Sequence, residues 1–259
     1  MSEEKNLFIS KQYFHHHAYE ILTAHKDVKA FLENSFDAKI DLTERVKFTK
    51  GRESDAIKAD DLNKEIRRIL ANNKEFKFEV SEEMGVFYFS ASKSSIGGFD
   101  FALINHKVNL VKLRNICFGE IHYSDNFKRW NKFLDKNPEL KEYAEYLITS
   151  ENVGVNIPIK KDDFSPPLIV GEIQFGNWAL AYRDFFKVLK ANVQNSIDCL
   201  VYIVPTGKLE KSLSDGIVTF DKTLRIIQEF EKIITVPVWL VGIDIKSTSH
   251  QPFSPIPRV

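Results

Sequence analysis

Cysteine is nearly absent: Cys117 and Cys199 are the only two in 259 residues. They lie far apart and lack metal-ligand spacing, so the chain has neither a disulfide framework nor a zinc knuckle, and it reads as a protein of a reducing, cytoplasmic compartment. An excess of either charge sign is also missing, with Lys plus Arg and Asp plus Glu at 36 each. A balanced chain carries no global footprint for a polyanion, so a nucleic-acid partner would need a local basic lining. Long apolar runs are lacking: the longest, residues 234–243, contains Pro237 and is too short to span a bilayer, which excludes a membrane partner. The opening Met1-Ser2-Glu3-Glu4-Lys5 is charged and leads into no apolar stretch, which argues against a signal peptide. No solenoid period occurs, and no low-complexity tract beyond a loose tail with Pro252, Pro255 and Pro257.

What is present suits one enzyme-sized globular unit, with 43% apolar and 28% charged residues. Apolar positions at mostly helical spacing (Ala18, Ile21, Leu22, Ala30, Phe31) predict a helix within residues 12–34, and Leu62, Ile66 and Ile69 predict another over 60–72, with Asp60 or Asp61 as its cap. Between them lies a basic stretch, Arg45 to Arg52, which fits a DNA-facing arm or a solvated charged strand. Short runs rich in Val, Phe, Tyr and Ile predict strands over 78–80, 86–91, 99–104 and 108–113. A helical stretch over 126–147 is interrupted near Asn137-Pro138. Beyond it, strands over 153–159, 168–175, 198–204 and 236–243 alternate with helices over 178–191 and 219–234. Such alternation specifies an α/β fold, a mixed central sheet flanked by helices, with an N-terminal helical region added. The expected layout is a single domain over 1–259: a mainly helical region (1–75), a core (76–245) and an extended tail (246–259).

The chemistry concentrates in residues 160–178. Side chains alternate across a strand, so Glu172 and Gln174 point the same way from an otherwise apolar run, and burying them demands a metal, a network or solvent. Asp163 lies nine positions earlier, before a Ser165-Pro166-Pro167 break that lets the chain turn and bring the two carboxylates together. Close carboxylates repel one another and favour a divalent cation, and hard oxygen donors favour Mg²⁺. By itself an Asp…Glu-x-Gln pattern fits a polar cluster at a sheet end equally well.

Three further features narrow the reading. Glu172-Ile173-Gln174-Phe175-Gly176-Asn177 with Asp163-Phe164 upstream, a strand ending Val204-Pro205-Thr206-Gly207, and Val236-Pro237-Val238-Trp239-Leu240-Val241-Gly242 occur in this order. Together they resemble the BglII branch of the PD-(D/E)XK restriction endonucleases over roughly residues 155–245. The resemblance implies a homodimeric type II restriction endonuclease that cuts double-stranded DNA at a short palindromic site, GATC-containing in character, with Mg²⁺, alongside a cognate DNA methyltransferase. It implies Asp163 and Glu172 as metal ligands, the Ile173 carbonyl as a third, and Gln174 where the wider superfamily has Lys. A neutral amide cannot act as a base, so Gln174 would hold the attacking water by hydrogen bonding, and Gln174→Glu is expected to retain some cleavage. Asn177 fits base or phosphate contact and fits a helix cap equally well. Lys160 and Lys161 fit contacts to the DNA backbone or a solvated loop.

A second stretch partly mimics the first: Asp100, then Glu120-Ile121-His122, read as a strand. The triplet His15-His16-His17 falls on a predicted helix whose consecutive positions fan apart, so it reads as a surface run. Two other functions share the same residues: a structure-selective repair nuclease, and a non-catalytic DNA-binding protein that keeps the nuclease fold.

Overall fold

The computed structural model describes residues 2–49, 52–80, 98–121, 126–149, 151–159, 166–195 and 197–247. Among them the strands are β1 (Ser2–His15), β2 (Lys39–Thr49), β3 (Arg52–Ile57), β4 (Phe76–Val80), β5 (Phe99–Leu103), β6 (Ile169–Ile173), β7 (Cys199–Pro205) and β8 (Val238–Ser247). The helices are α1 (Ala18–Ala24), α2 (Lys26–Ser35), α3 (Ala59–Leu70), α4 (His106–Phe118), α5 (Asn126–Lys136), α6 (Lys141–Leu147), α7 (Leu180–Asn195), α8 (Gly207–Ser212) and α9 (Phe220–Glu229). The strands form one mixed sheet in the order β3-β2-β1-β8-β7-β6-β5-β4. Among the described residues only the β6–β7 and β7–β8 pairs are parallel, and the crossovers between them carry α7 and α9.

Two cores sandwich the sheet. On one face Leu7, Phe101, Ile173, Val201 and Trp239 pack with Leu22, Leu32, Leu62 and Ile66 of the N-terminal helices. On the other, Val170, Leu200, Tyr202 and Leu240 meet Ala181, Phe185 and Val188 of α7 and Ile226 and Ile227 of α9. Each such fully buried aliphatic side chain contributes roughly 1.5–3 kcal/mol of transfer free energy. A third cluster, with Leu110, Trp130 and Leu147, unites α4, α5 and α6. Among the described residues no helix is long and apolar enough to cross a membrane.

The α/β layering agrees with the sequence reading, while several local expectations give way. Residues 1–75 hold α1, α2 and α3 but also β1, β2 and β3, and residues 12–15 belong to β1 rather than to a helix. That strand pairs with β8 from Lys5↔Ser247 to His15↔Val238, a partner more than 200 positions away that helical periodicity cannot register. Of the basic stretch at 45–52, residues 45–49 end β2 and Arg52 begins β3, with 50 and 51 outside the described residues. Asp60 and Asp61 sit inside the first turn of α3 and make no cap. The His triplet marks a junction: His15 is buried with Nε2 2.8 Å from the Ile234 carbonyl oxygen, His16 takes φ +50°, and His17 precedes α1.

Residues 108–113, expected as a strand, lie in α4. Asn105 begins the helix by accepting a hydrogen bond from the Val108 N–H at 3.0 Å, and burial around the helix hides its period. Residues 153–159 are not a strand either, because α4 side chains take their backbone groups. Arg114 donates to the carbonyls of Asn152 and Val155, and Asn115 bonds both the N–H and the carbonyl of Ile157, each at 2.8 Å. The interrupted helix at 126–147 forms as read, with a 3-10 turn (Pro138–Leu140) at the break. The strand expected at 86–91 and the tail from 248 onward lie outside the described residues.

Candidate active site

Every residue of β6 is buried, which suits an apolar run at the centre of a sheet covered on both faces. Glu172 is the exception in that run. Ile169 and Ile173 belong to the core under the N-terminal helices and Val170 to the core under α7. Glu172 and Gln174 therefore face α7, as strand alternation requires. Gly171 makes the neighbouring approach possible, since a Cβ there would meet Phe101 Cζ at 2.0 Å. With Phe101 lying over bare backbone, β5 pairs in the register Phe101↔Gly171, which sets Asp100 beside Glu172.

Asp100 is held at both oxygens. Its Oδ2 accepts the Ile173 N–H at 2.7 Å and its Oδ1 accepts Arg67 Nη2 of α3 at 2.6 Å; Arg67 also pairs with Glu79. Burial pushes the Asp100 carboxyl above the usual range, against the pull of the Ile173 N–H and of Arg67. Burial pushes Glu172 well above it, opposed by Lys187 and reinforced by the negative charges of Asp100 and Asp184.

α7 closes the site from the other side. Asp184 and Lys187 occupy the helix stripe that also buries Ala181, Phe185 and Val188, and both are buried. Asp184 Oδ2 accepts Gln174 Nε2 at 2.9 Å and the Tyr202 hydroxyl at 3.1 Å, while Arg183 reaches Oδ1 at 3.1 Å. The Gln174 carbonyl accepts the Gly176 N–H at 2.9 Å. Turning the amide over would set N–H against N–H and oxygen against carboxylate, so this network fixes its orientation. Tyr202 stands beside Glu172 on β7, and burial first, then the charges of Asp184 and Glu172, raise its phenol well above the ordinary value, which keeps it a hydrogen-bond donor.

These residues fit a divalent cation. Glu172 Oε1 is buried and, among the described residues, accepts no well-aligned hydrogen bond, although the Lys187 ammonium lies 2.5 Å away. A buried carboxylate oxygen that faces an ammonium group, beside a second carboxylate, is a hard-oxygen donor pair that suits a divalent cation. Among the described residues no three acidic, His or Cys side chains form a cage. A site with two carboxylates matches a cation that keeps several waters, as Mg²⁺ does.

The residues singled out by sequence distribute unevenly over this arrangement. Glu172, Ile173 and Gln174 lie at the centre of it. Asp163, Lys160 and Lys161 lie outside the described residues. Asn177 is exposed, and its Oδ1 accepts the Ala179 N–H at 2.9 Å at the entry to α7. The alternative pairing of Asp100 with Glu120 is corrected: Glu120 follows α4 on no strand, and Asp100 meets Glu172 instead. Sequence reasoning missed Asp184, Lys187 and Tyr202. The signal for the first two was charge on the apolar side of α7: Asp184 lies three from Ala181 and four from Val188, and Lys187 lies three from Asp184 and four from Ala191.

A carboxylate pair faces across the adjacent antiparallel strands β5 and β6 and is covered by α7 of an α/β sandwich. The sequence matches the family described as restriction endonuclease BglII/BglIII over residues 10–243, so the chain belongs to that family. It is a type II restriction endonuclease, a site-specific deoxyribonuclease whose partner is DNA, and its family generally uses a divalent metal. Among solved structures, restriction endonuclease BglII complexed with a DNA 16-mer is 12% identical with a TM-score of 0.48, covering 90% of this chain and 74% of that one. Free BglII is 14% identical with a TM-score of 0.39, covering 90% and 77%. No curated protein matches the sequence.

Proposed function

We propose that this endonuclease hydrolyses phosphodiester bonds of double-stranded DNA at a short, GATC-containing palindrome, with Mg²⁺ as its metal. The observation that carries the reading is the meeting of the Asp100 and Glu172 carboxylates on β5 and β6, buried beside the Lys187 ammonium. Glu172, Asp100 and the Ile173 carbonyl would hold the cation, and Asp163 joins them as the sequence motif proposes. When bound, the cation supplies Lewis acidity and lowers the pKa of a coordinated water.

The chain's own groups do the rest. Asp184 anchors Gln174 so that its second N–H can orient the attacking water, a positioning role for a group that cannot take the proton. Asn177, Lys160 and Lys161 are proposed DNA contacts, and the exposure of Asn177 supports the first of these. A palindrome cut on both strands is most simply served by a two-fold dimer, so we propose a homodimer, acting in the cytoplasm beside a cognate DNA methyltransferase that protects host sites.

Digestion of a long defined DNA with Mg²⁺, and with EDTA as control, tests this reading when the ends are mapped. Discrete fragments sharing one end sequence are the expected result. Branch-dependent cuts or smears would instead identify a structure-selective nuclease, and DNA binding without cutting a non-catalytic protein.

A further inference from the structure

The strand motif carries a neutral amide at Gln174, yet the site contains a buried cation that arrives from the helix. Lys187 Nζ lies 2.5 Å from Glu172 Oε1 and 3.7 Å from Asp184 Oδ1, donates to the Gly98 carbonyl at 2.8 Å, and sits 5.0 Å from the centre of the Phe99 ring. Its side chain is 3% exposed. Removing an ammonium from water costs several kcal/mol unless partners compensate, so an apolar side chain would be the ordinary occupant of this stripe on α7. Among the described residues, Arg183 and Arg67 also pair with acids of the site, but they are 51% and 27% exposed and bond Asp184 and Asp100. Lys187 alone among them contacts Glu172, the carboxylate that a divalent ion must use.

We propose that Lys187 is a catalytic residue of this nuclease. Its ammonium occupies Glu172 Oε1 in the resting protein, yields that oxygen when the divalent cation binds, and then donates to a non-bridging oxygen of the scissile phosphate. No proton changes hands at Lys187 in this scheme, which uses its charge and its N–H groups only. Asp100 keeps 22% side-chain exposure where Lys187 keeps 3%, so the scheme has the phosphate enter from the Asp100 side. The inference rests on the nuclease reading above. A purely structural counter-ion to Glu172 makes a different prediction, because a saturating divalent ion would replace it.

The experiment compares wild type with Lys187→Met and Lys187→Arg. Mn²⁺ binding is measured by calorimetry, and single-turnover cleavage of a duplex carrying the mapped site is measured at saturating Mg²⁺. Lys187→Met is expected to bind Mn²⁺ about tenfold more tightly, since its internal competitor is gone. The same variant is expected to cleave on the order of 100-fold more slowly, while duplex affinity in Ca²⁺ holds. Lys187→Arg, which keeps the charge and serves where Met fails to fold, should recover part of the rate. Unchanged Mn²⁺ affinity, or a Lys187→Met rate close to wild type, overturns the proposal. A wild type that binds Mn²⁺ yet cuts no DNA sinks the nuclease reading itself, which is a distinguishable result.

Discussion

Gln174 Nε2 and Asp184 Oδ2 lie 2.9 Å apart, joining the motif strand to the helix that covers it. Because Gly176 holds the other end of the amide, Gln174 is as much a link in the fold as a group of the site.

That link reverses an expectation. By sequence alone Gln174→Glu looks tolerable, but the structure would set its carboxylate against that of Asp184 with both groups buried. The variant should lose about 3 kcal/mol of unfolding free energy near neutral pH, the scale of a broken buried charge pair. Adding Asp184→Asn should restore much of it by supplying a donor. Urea unfolding of the three proteins decides, and a single variant as stable as wild type would discredit the network.

Gly171 predicts a steric effect. Alanine there places a methyl inside the Phe101 ring, which must shift and take β5 with it. A loss of about 1–3 kcal/mol is expected for such overpacking. Phe101→Leu in the same chain should recover part of that loss, whereas additive losses in the double variant would show that the two residues do not collide.

Asp100→Asn keeps an oxygen for the Ile173 N–H and removes the charge that faces Glu172. If Asp100 is a ligand, Mn²⁺ affinity should drop by at least the roughly 100-fold seen at the upper end for lost outer-shell partners. Parallel titration of Asp163→Asn apportions the site between the two acids. Wild-type affinity in Asp100→Asn would remove it from the ligand set.

His15 predicts a pH effect. Burial lowers its pKa below 6.5, with the Ile234 hydrogen bond acting the other way. The unfolded chain thus binds the proton more readily, so the stability contributed by neutral His15 is full above about pH 6.5 and is lost as pH falls through the lowered folded value. Asp100 and Glu172, raised by burial, work in the opposite sense, so the comparison must be with a variant. His15→Gln keeps a donor for Ile234 and should gain on wild type as pH is lowered from about 7 to about 5 in thermal melts. Parallel melting curves at every pH would contradict this.

Elements with strong local signals were legible in the sequence. β6 and β7 read as apolar runs and α3 as a 3.6-residue stripe, and the parity of Glu172 and Gln174 put both on one face of the strand. Elements fixed by distant partners were not. β1 takes its conformation from β8, residues 153–159 take theirs from Arg114 and Asn115, and α4 is buried on too many sides to show a period. The same distinction applies to the site: Glu172-x-Gln174 is local, whereas Asp100 reaches Glu172 only because a helical excursion of α4, α5 and α6 returns the chain to its neighbour. Lys187 and Asp184 were visible as charges on an apolar stripe, but their partners were not.

The pairing of β1 with β8 also bears on the order of assembly. β1 can zip onto β2 as soon as residues 39–43 exist, whereas its other edge waits for residues 238–247 to leave the ribosome. Joining segments so far apart makes closure the slow step, since long-range pairing is paid for in chain entropy before it is rewarded. The half-sheet bearing the cutting chemistry should then dock last, so a nascent nuclease stays harmless until β8 has been made. Pulsed hydrogen exchange would report this as protection of β1 against β2 preceding protection of β8.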